Sequence, residues 1–178
     1  NNAVSELIIR FEKYEQLFHL IEEAIFAKGF KNHGYEGELR QAVHDIEARI
    51  DQASLNDSHK VLMLMLRRHE KDFIIRKDLK YQQKLKHDVQ QFIKKIQADT
   101  TIEINLKKSI LEQLHSYESH FDKLVRASTH IGLTESNGLR NKLKLASQDI
   151  LPKLQTVDAQ IVQKINIKKK QIMIVLAG

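Results

Sequence analysis

The stretch Tyr81-Gln-Gln-Lys-Leu85-Lys-His-Asp-Val89-Gln-Gln-Phe92-Ile-Lys-Lys-Ile96 decides the fold class. Tyr81, Leu85, Val89, Phe92 and Ile96 recur at spacings of three and four, which marks one buried face of an amphipathic α-helix. Followed upstream at the same period, that face runs through Asp78, Lys71 and Arg67 or Arg68. These lie in and beside Arg67-Arg68-His69-Glu70-Lys71-Asp72-Phe73, where charge stands in place of apolar residues. Charge on a core-facing stripe is costly unless it is paired or held against a ligand. This segment is therefore the first place to look for function.

The same periodicity extends along nearly the whole chain. It predicts helices over 3–28 (Leu7, Phe11, Tyr14, Phe18, Ile21, Ile25 inward), 37–54 (Leu39, Val43, Ile46, Ile50), 58–98 as one uninterrupted rod, and 102–130 (Ile110, Leu114, Tyr117, Phe121, Leu124). A last helix follows Gly138, burying Leu139, Leu143, Ala146, Ile150, Leu154, Val157, Ile161 and Ile165, with a kink expected at Pro152. Gly29, Gly34 and Gly37, then Asn56-Asp57-Ser58, Asp99-Thr100-Thr101, and Gly132 with Gly138 supply the stops and caps. Short turns imply antiparallel neighbours. The expected fold is all-α: an up-down-up-down four-helix bundle of long helices, its first ascent broken near 29–37, with 1–178 as a single domain and both termini at one end.

In such a bundle, at about 1.5 Å per residue, the charged segment, the glycine break after residue 28 and the loop near Gly132 share one level. Across the hairpin of 37–54 and 58–98, Arg40 should meet Asp72, and His44-Asp45 should meet Arg67-Arg68. Two readings stand. The charges form a structural ion network, or the surplus of cations (Arg67, Arg68, Lys71, Arg76, Arg40, Arg140) receives an anion. Arginine suits a carboxylate bidentately.

Composition removes other classes. The absence of cysteine excludes disulfides and thiolate metal sites. A net charge of +6 suits an anionic partner, but the bases are interleaved with acids and no glycine-aromatic motif offers a stacking surface, so nucleic acid is not expected. No phosphate loop or nucleophile elbow marks an enzyme, and no cofactor is expected. Glu112-x-x-His115 is half of a di-metal bundle motif without its second half, so no metal is expected. The apolar tail Ile172-Met173-Ile174-Val175-Leu176 makes 168–178 either the opening of a membrane span or an ordinary helix end, and Lys168, Lys169 and Lys170 weigh against the span.

There is also an internal echo. Gly34–Ile46 aligns without a gap to Gly138–Ile150, with five identities and Arg40 matched by Lys144, so 29–98 and 131–151 read as a degenerate repeat. Leu64-Met-Leu-Arg67-Arg68-His69-Glu70-Lys71-Asp72-Phe73-Ile-Ile-Arg76-Lys77-Asp78-Leu-Lys-Tyr81 resembles the extracytoplasmic sensor region of bacterial methyl-accepting chemotaxis receptors, in particular the helical bimodular type. That family carries a similar arginine-arginine-x-glutamate-lysine-aspartate stretch, and Gly37–His44 and Gly132…Arg140 resemble two versions of its helix start. The resemblance implies a periplasmic module of an inner-membrane receptor, held through flanking helices, usually a homodimer, binding a small carboxylate and signalling by helix displacement. Its site would draw on Arg67, Arg68, Lys71 and Arg76, with Arg40 and His44 from the second helix and Arg140 from the later loop. The chain departs from the family in being shorter, and its second repeat lacks an arginine-arginine-glutamate-lysine-aspartate helix. The alternative is a sensor or partner-docking spacer domain of a histidine kinase or other membrane signalling protein, without direct ligand binding.

Overall fold

The computed structural model describes residues 2–53 and 55–177; Asn1, Ser54, where the second predicted helix ends, and Gly178 lie outside the described residues. Among the described residues the chain is all-α, with six helices: α1 (Asn2–Lys28), α2 (Gly34–Gln52), α3 (Asp57–Arg76), α4 (Lys80–Ala98), α5 (Ile104–Ile131) and α6 (Gly138–Ala177). The predicted cap at Asn56 and the predicted turn at Asp99 both form. Asn56 Oδ1 accepts the Ser58 N–H at 3.1 Å to start α3, and Asp99 Oδ1 accepts the Thr101 N–H at 2.9 Å in the turn after α4.

The single rod over 58–98 is corrected. α3 stops at Arg76, Lys77 takes the left-handed conformation at φ 55°, and its N–H bonds Phe73 O at 2.8 Å. Asp78 Oδ1 then accepts the Lys80 N–H at 2.9 Å, and α4 begins. No glycine or proline marks this turn. It forms because folding back lets both apolar faces meet: His69 Nε2 lies 3.0 Å from Asp88 Oδ2 and His59 Nε2 3.5 Å from Asp99 Oδ2, the ladder of an antiparallel hairpin.

α2, α3, α4 and α5 enclose one core. Leu39, Val43 and Ile46 from α2, Leu66 and Phe73 from α3, Leu85, Val89 and Phe92 from α4, and Ile110, Leu114, Tyr117 and Phe121 from α5 are all buried in it. Phe73 and Phe121 meet edge to face at 5.5 Å. α1 and α6 pair with each other instead. Leu7 packs with Ile150 and Val157; Glu6 accepts from Lys153 at 2.6 Å, and Arg10 pairs with Asp149. Ile21, Ile131 and Leu139 join α1, the end of α5 and the start of α6. α6 continues as one helix through Pro152.

The apolar stripe expected on α1 divides. Leu7 and Ile21 are buried and Tyr14 half-buried, whereas Phe11, Phe18 and Ile25 are exposed. On α6 the expected burial ends at Val157; Leu154, Ile161 and Ile165 are exposed. The reason is geometric: α6 outruns α1, and a three-four repeat wide enough for two neighbours has only one.

His59 gives the bundle a pH dependence. Its ring is 1% exposed, with Nδ1 2.9 Å from Asn56 Oδ1. Burial and then the nearby Lys95 hold its pKa below the ordinary 6.5, against the pull of Asp99. The unfolded chain therefore takes up this proton first as pH falls, and the stability present above the ordinary value is lost toward the lower, folded one. Between about pH 7 and pH 5 the melting temperature should fall more steeply for the wild type than for His59→Asn. Parallel profiles would show that His59 contributes nothing.

Candidate functional site

The last turns of α3 face α2 and α5, and their buried charge is Glu70. Its residue is 2% exposed. Three donors satisfy the carboxylate: Arg67 Nη1 at 2.9 Å and Tyr117 Oη at 2.9 Å on Oε2, and Lys71 Nζ at 2.9 Å on Oε1. Burial, and then the adjacent Glu70 carboxylate, push the Tyr117 phenol well above its ordinary pKa, so it remains a donor. The stripe of α3 is set by Leu66, His69, Glu70 and Phe73. Extrapolation from α4 pointed to Lys71 and Arg67 or Arg68 because the turn at 77–79 resets the helical phase.

Beside this cluster, between α2 and α3, lies a recess of about 120 Å³ lined by Phe30, Lys31, Glu36, Leu39, Arg40, Arg67, Glu70, Lys71 and Ile74. Four cations thus surround two carboxylates, and both carboxylates are engaged. Glu36 pairs with Lys28, and Glu70 holds Arg67 and Lys71. Among the described residues no acid pairs with Arg40 or Lys31; the Lys31 ammonium lies 5.3 Å from the centroid of the Phe30 ring. A wall of this kind offers a carboxylate two unengaged cations and the outer face of a third, on an apolar floor of Leu39 and Ile74.

Arg40, Arg67 and Lys71 are therefore brought together, and the other predicted residues are not. Arg68 and Arg76, with side chains 72% and 62% exposed, turn outward and share Asp72 at 3.9 and 3.1 Å. His44 is exposed against Glu47 at 3.7 Å. Arg140 sits at the start of α6 on a different cavity, with Lys28 and Lys77. The expected cross-helix pairs are corrected as well. Arg67 reaches Glu47 at 3.9 Å rather than Asp45, which accepts from Gln41 at 2.8 Å, and Asp72 pairs within α3 rather than with Arg40.

No protein-family model, curated protein or solved structure matches the chain. The site's chemistry accordingly rests on its own geometry. Among the described residues no cluster of three or more His, Asp or Glu is placed to hold a metal ion. Sequence reading missed Glu70, Tyr117 and Lys31. The first two were findable: Glu70 stands four residues after Leu66 and three before Phe73, on their face, and a core tyrosine requires a partner for its hydroxyl. Lys31 carries no periodic signal, since it belongs to the turn after α1, with φ 55°.

Proposed function

We propose that this chain is the extracytoplasmic sensor domain of a transmembrane chemoreceptor, binding a small organic anion in the recess between α2 and α3. The observation that carries this reading is the pair of cations without an acid, Arg40 and Lys31, beside the engaged Arg67 and Lys71. The resemblance of Leu64–Tyr81 to chemotaxis receptor ectodomains supports it. On this reading the helices run up-down-up-down: α1 and α2 make a first ascent interrupted near 29–37, α3 and α4 the middle passes, and α5 with α6 the last. The ligand ties the turn after α1 to the end of α3, and favours one displacement of α1 against α6. The exposed Phe11, Phe18 and Ile25 suit a homodimer formed along α1. The domain is periplasmic and held at the inner membrane by helices flanking it; among the described residues no helix is long and apolar enough to cross a membrane.

Isothermal titration with a panel of small organic acids tests the proposal. At least one acid should bind with a Kd in the millimolar range or tighter. Arg40→Ala should weaken it by about tenfold or more, equivalent to about 1.4 kcal/mol, and the outward-facing Arg68→Ala should not. Absence of heat with every acid, or equal affinity in Arg40→Ala, would remove the ligand site.

A second reading, a spacer or partner-docking module without a ligand, is favoured by the complete satisfaction of Glu70. It predicts that no acid in the panel binds.

A further inference from the structure

A second cavity, of about 180 Å³, lies where the end of α1, the α3–α4 turn, the end of α5 and the start of α6 converge. Lys28, Lys77, Ser128 and Arg140 line it, over Ile25 and Ile131. It shares no residue with the recess between α2 and α3. The Lys28–Glu36 pair separates the two, with Lys28 on one cavity and Glu36 on the other.

Three features of this cavity are open to a partner that the chain does not supply. The first is Ser128, which is 4% exposed and whose hydroxyl has no hydrogen-bond partner. A helical serine usually relieves itself on the carbonyl four residues back, as the adjacent Thr129 does on Val125 O at 2.9 Å; Ser128 does not. The second is Lys77, half-buried and without an acid partner, its ammonium 6.0 Å from the centroid of the Phe73 ring. The third is Arg140, likewise without an acid among the described residues. Lys28 is the one cation here that is neutralised, by Glu36.

We propose that this junction is a binding site for a tetrahedral oxyanion of the hydrogen phosphate or sulfate class, held by Lys77, Arg140 and the Ser128 hydroxyl. Charge decides the class. Two unpaired cations, the half-buried Lys77 and the exposed Arg140, and one neutralised pair leave a local surplus that matches a dianion, whereas a monocarboxylate would balance only one of the two. A tetrahedral anion also accepts from ammonium, guanidinium and hydroxyl at once. Burial is the first cause that lowers the Lys77 pKa; Lys28 and Arg140 lower it further against Glu36, and that second, smaller contribution is what an anion would relieve. The anion would tie the α3–α4 turn to the α1–α6 pair.

Isothermal titration of the whole chain with inorganic phosphate tests this, with sulfate, glycerol phosphate and acetate as further ligands and sodium chloride matched in ionic strength. Phosphate should bind saturably and acetate at least tenfold more weakly. Lys77→Asn, which suits the left-handed backbone, and Arg140→Gln should each weaken phosphate at least tenfold, and Ser128→Ala several-fold. Arg40→Gln, in the other recess, should leave it unchanged, so this result stands or falls apart from the organic-acid site. Binding of glycerol phosphate equal to or tighter than that of phosphate would identify a phosphoryl group as the source of the same chemistry, and weaker binding the free ion. Unchanged phosphate affinity in both Lys77→Asn and Arg140→Gln, loss of binding in Arg40→Gln, or an equal response to chloride would overturn the proposal.

Discussion

Glu70→Ala should destabilise the fold by about 3–5 kcal/mol, a fall of roughly 6–20 °C in Tm for a domain of this size. The carboxylate is the common acceptor for Arg67, Lys71 and Tyr117. Removing it leaves the Tyr117 hydroxyl buried with only the 3.4 Å contact to Leu66 O. It also leaves the Arg67 guanidinium, whose side chain is 28% exposed, with only Glu47 at 3.9 Å. An unpaired buried polar group costs more than its bond contributes. Two companions separate the causes. Glu70→Gln keeps an acceptor for Tyr117 and should recover about half the loss. Glu70→Leu combined with Tyr117→Phe removes acceptor and donor together and should approach wild-type stability, because Lys71 and much of Arg67 can turn to water. Urea unfolding reads all three; a loss below about 1 kcal/mol in Glu70→Ala would mean that water already screens the cluster. The same substitutions bear on ligand binding. Glu70→Gln releases Arg67 and Lys71 into the recess, so the anion affinity of that site should rise even as stability falls.

How much of this was legible in the sequence differs by element. Helix existence, the cap at Asn56, the turn at Asp99, and the inward faces of α2, α4 and α5 follow from period and turn chemistry, and the structure agrees at these positions. The α3–α4 turn does not follow, because its only local marks are Asp78, an ordinary N-terminal capping residue, and a lysine in a conformation lysine rarely adopts. Tertiary burial selects that turn. Periodicity also overstates burial on α1, where a repeat alone cannot say whether one or two neighbours cover it.

Of the residues gathered into the candidate site from the sequence, the structure brings only some together. Arg40, Arg67 and Lys71 line one recess, but the cross-hairpin pairs expected from the turn at Asn56 do not form. Arg68 was offered as inward by carrying the α4 phase through a break that was not seen, and Arg76 entered only as part of the surplus of cations. The glycines behave more regularly. Gly34 and Gly138 each open a helix at φ near +60°, and a Cβ on either would fall within 2.7 Å of Gly29 or Gly132 backbone. The two turns, α1–α2 and α5–α6, are thus closed by the same backbone device, at the two places where the sequence echoes itself.

That α3 and α4 are two helices rather than one rod carries the largest measurable consequence in distance. Nitroxide labels at Lys60→Cys and Thr100→Cys, both exposed and both beside the His59–Asp99 contact of 3.5 Å, should report a separation under about 25 Å. A continuous helix would hold them at about 60 Å. The chain has no native cysteine, so the labels are unambiguous. The energetic case is one-sided. The left-handed Lys77 costs about 1–2 kcal/mol. Folding back lets Met63, Leu66 and Phe73 meet Leu85, Val89, Phe92 and Ile96 in one core, each side chain contributing about 1.5–3 kcal/mol on burial. A rod would leave each of these faces to find other cover. If the distance distribution instead centred near the longer value, the hairpin would be wrong, and with it the shared core in which α3 and α4 meet Tyr117.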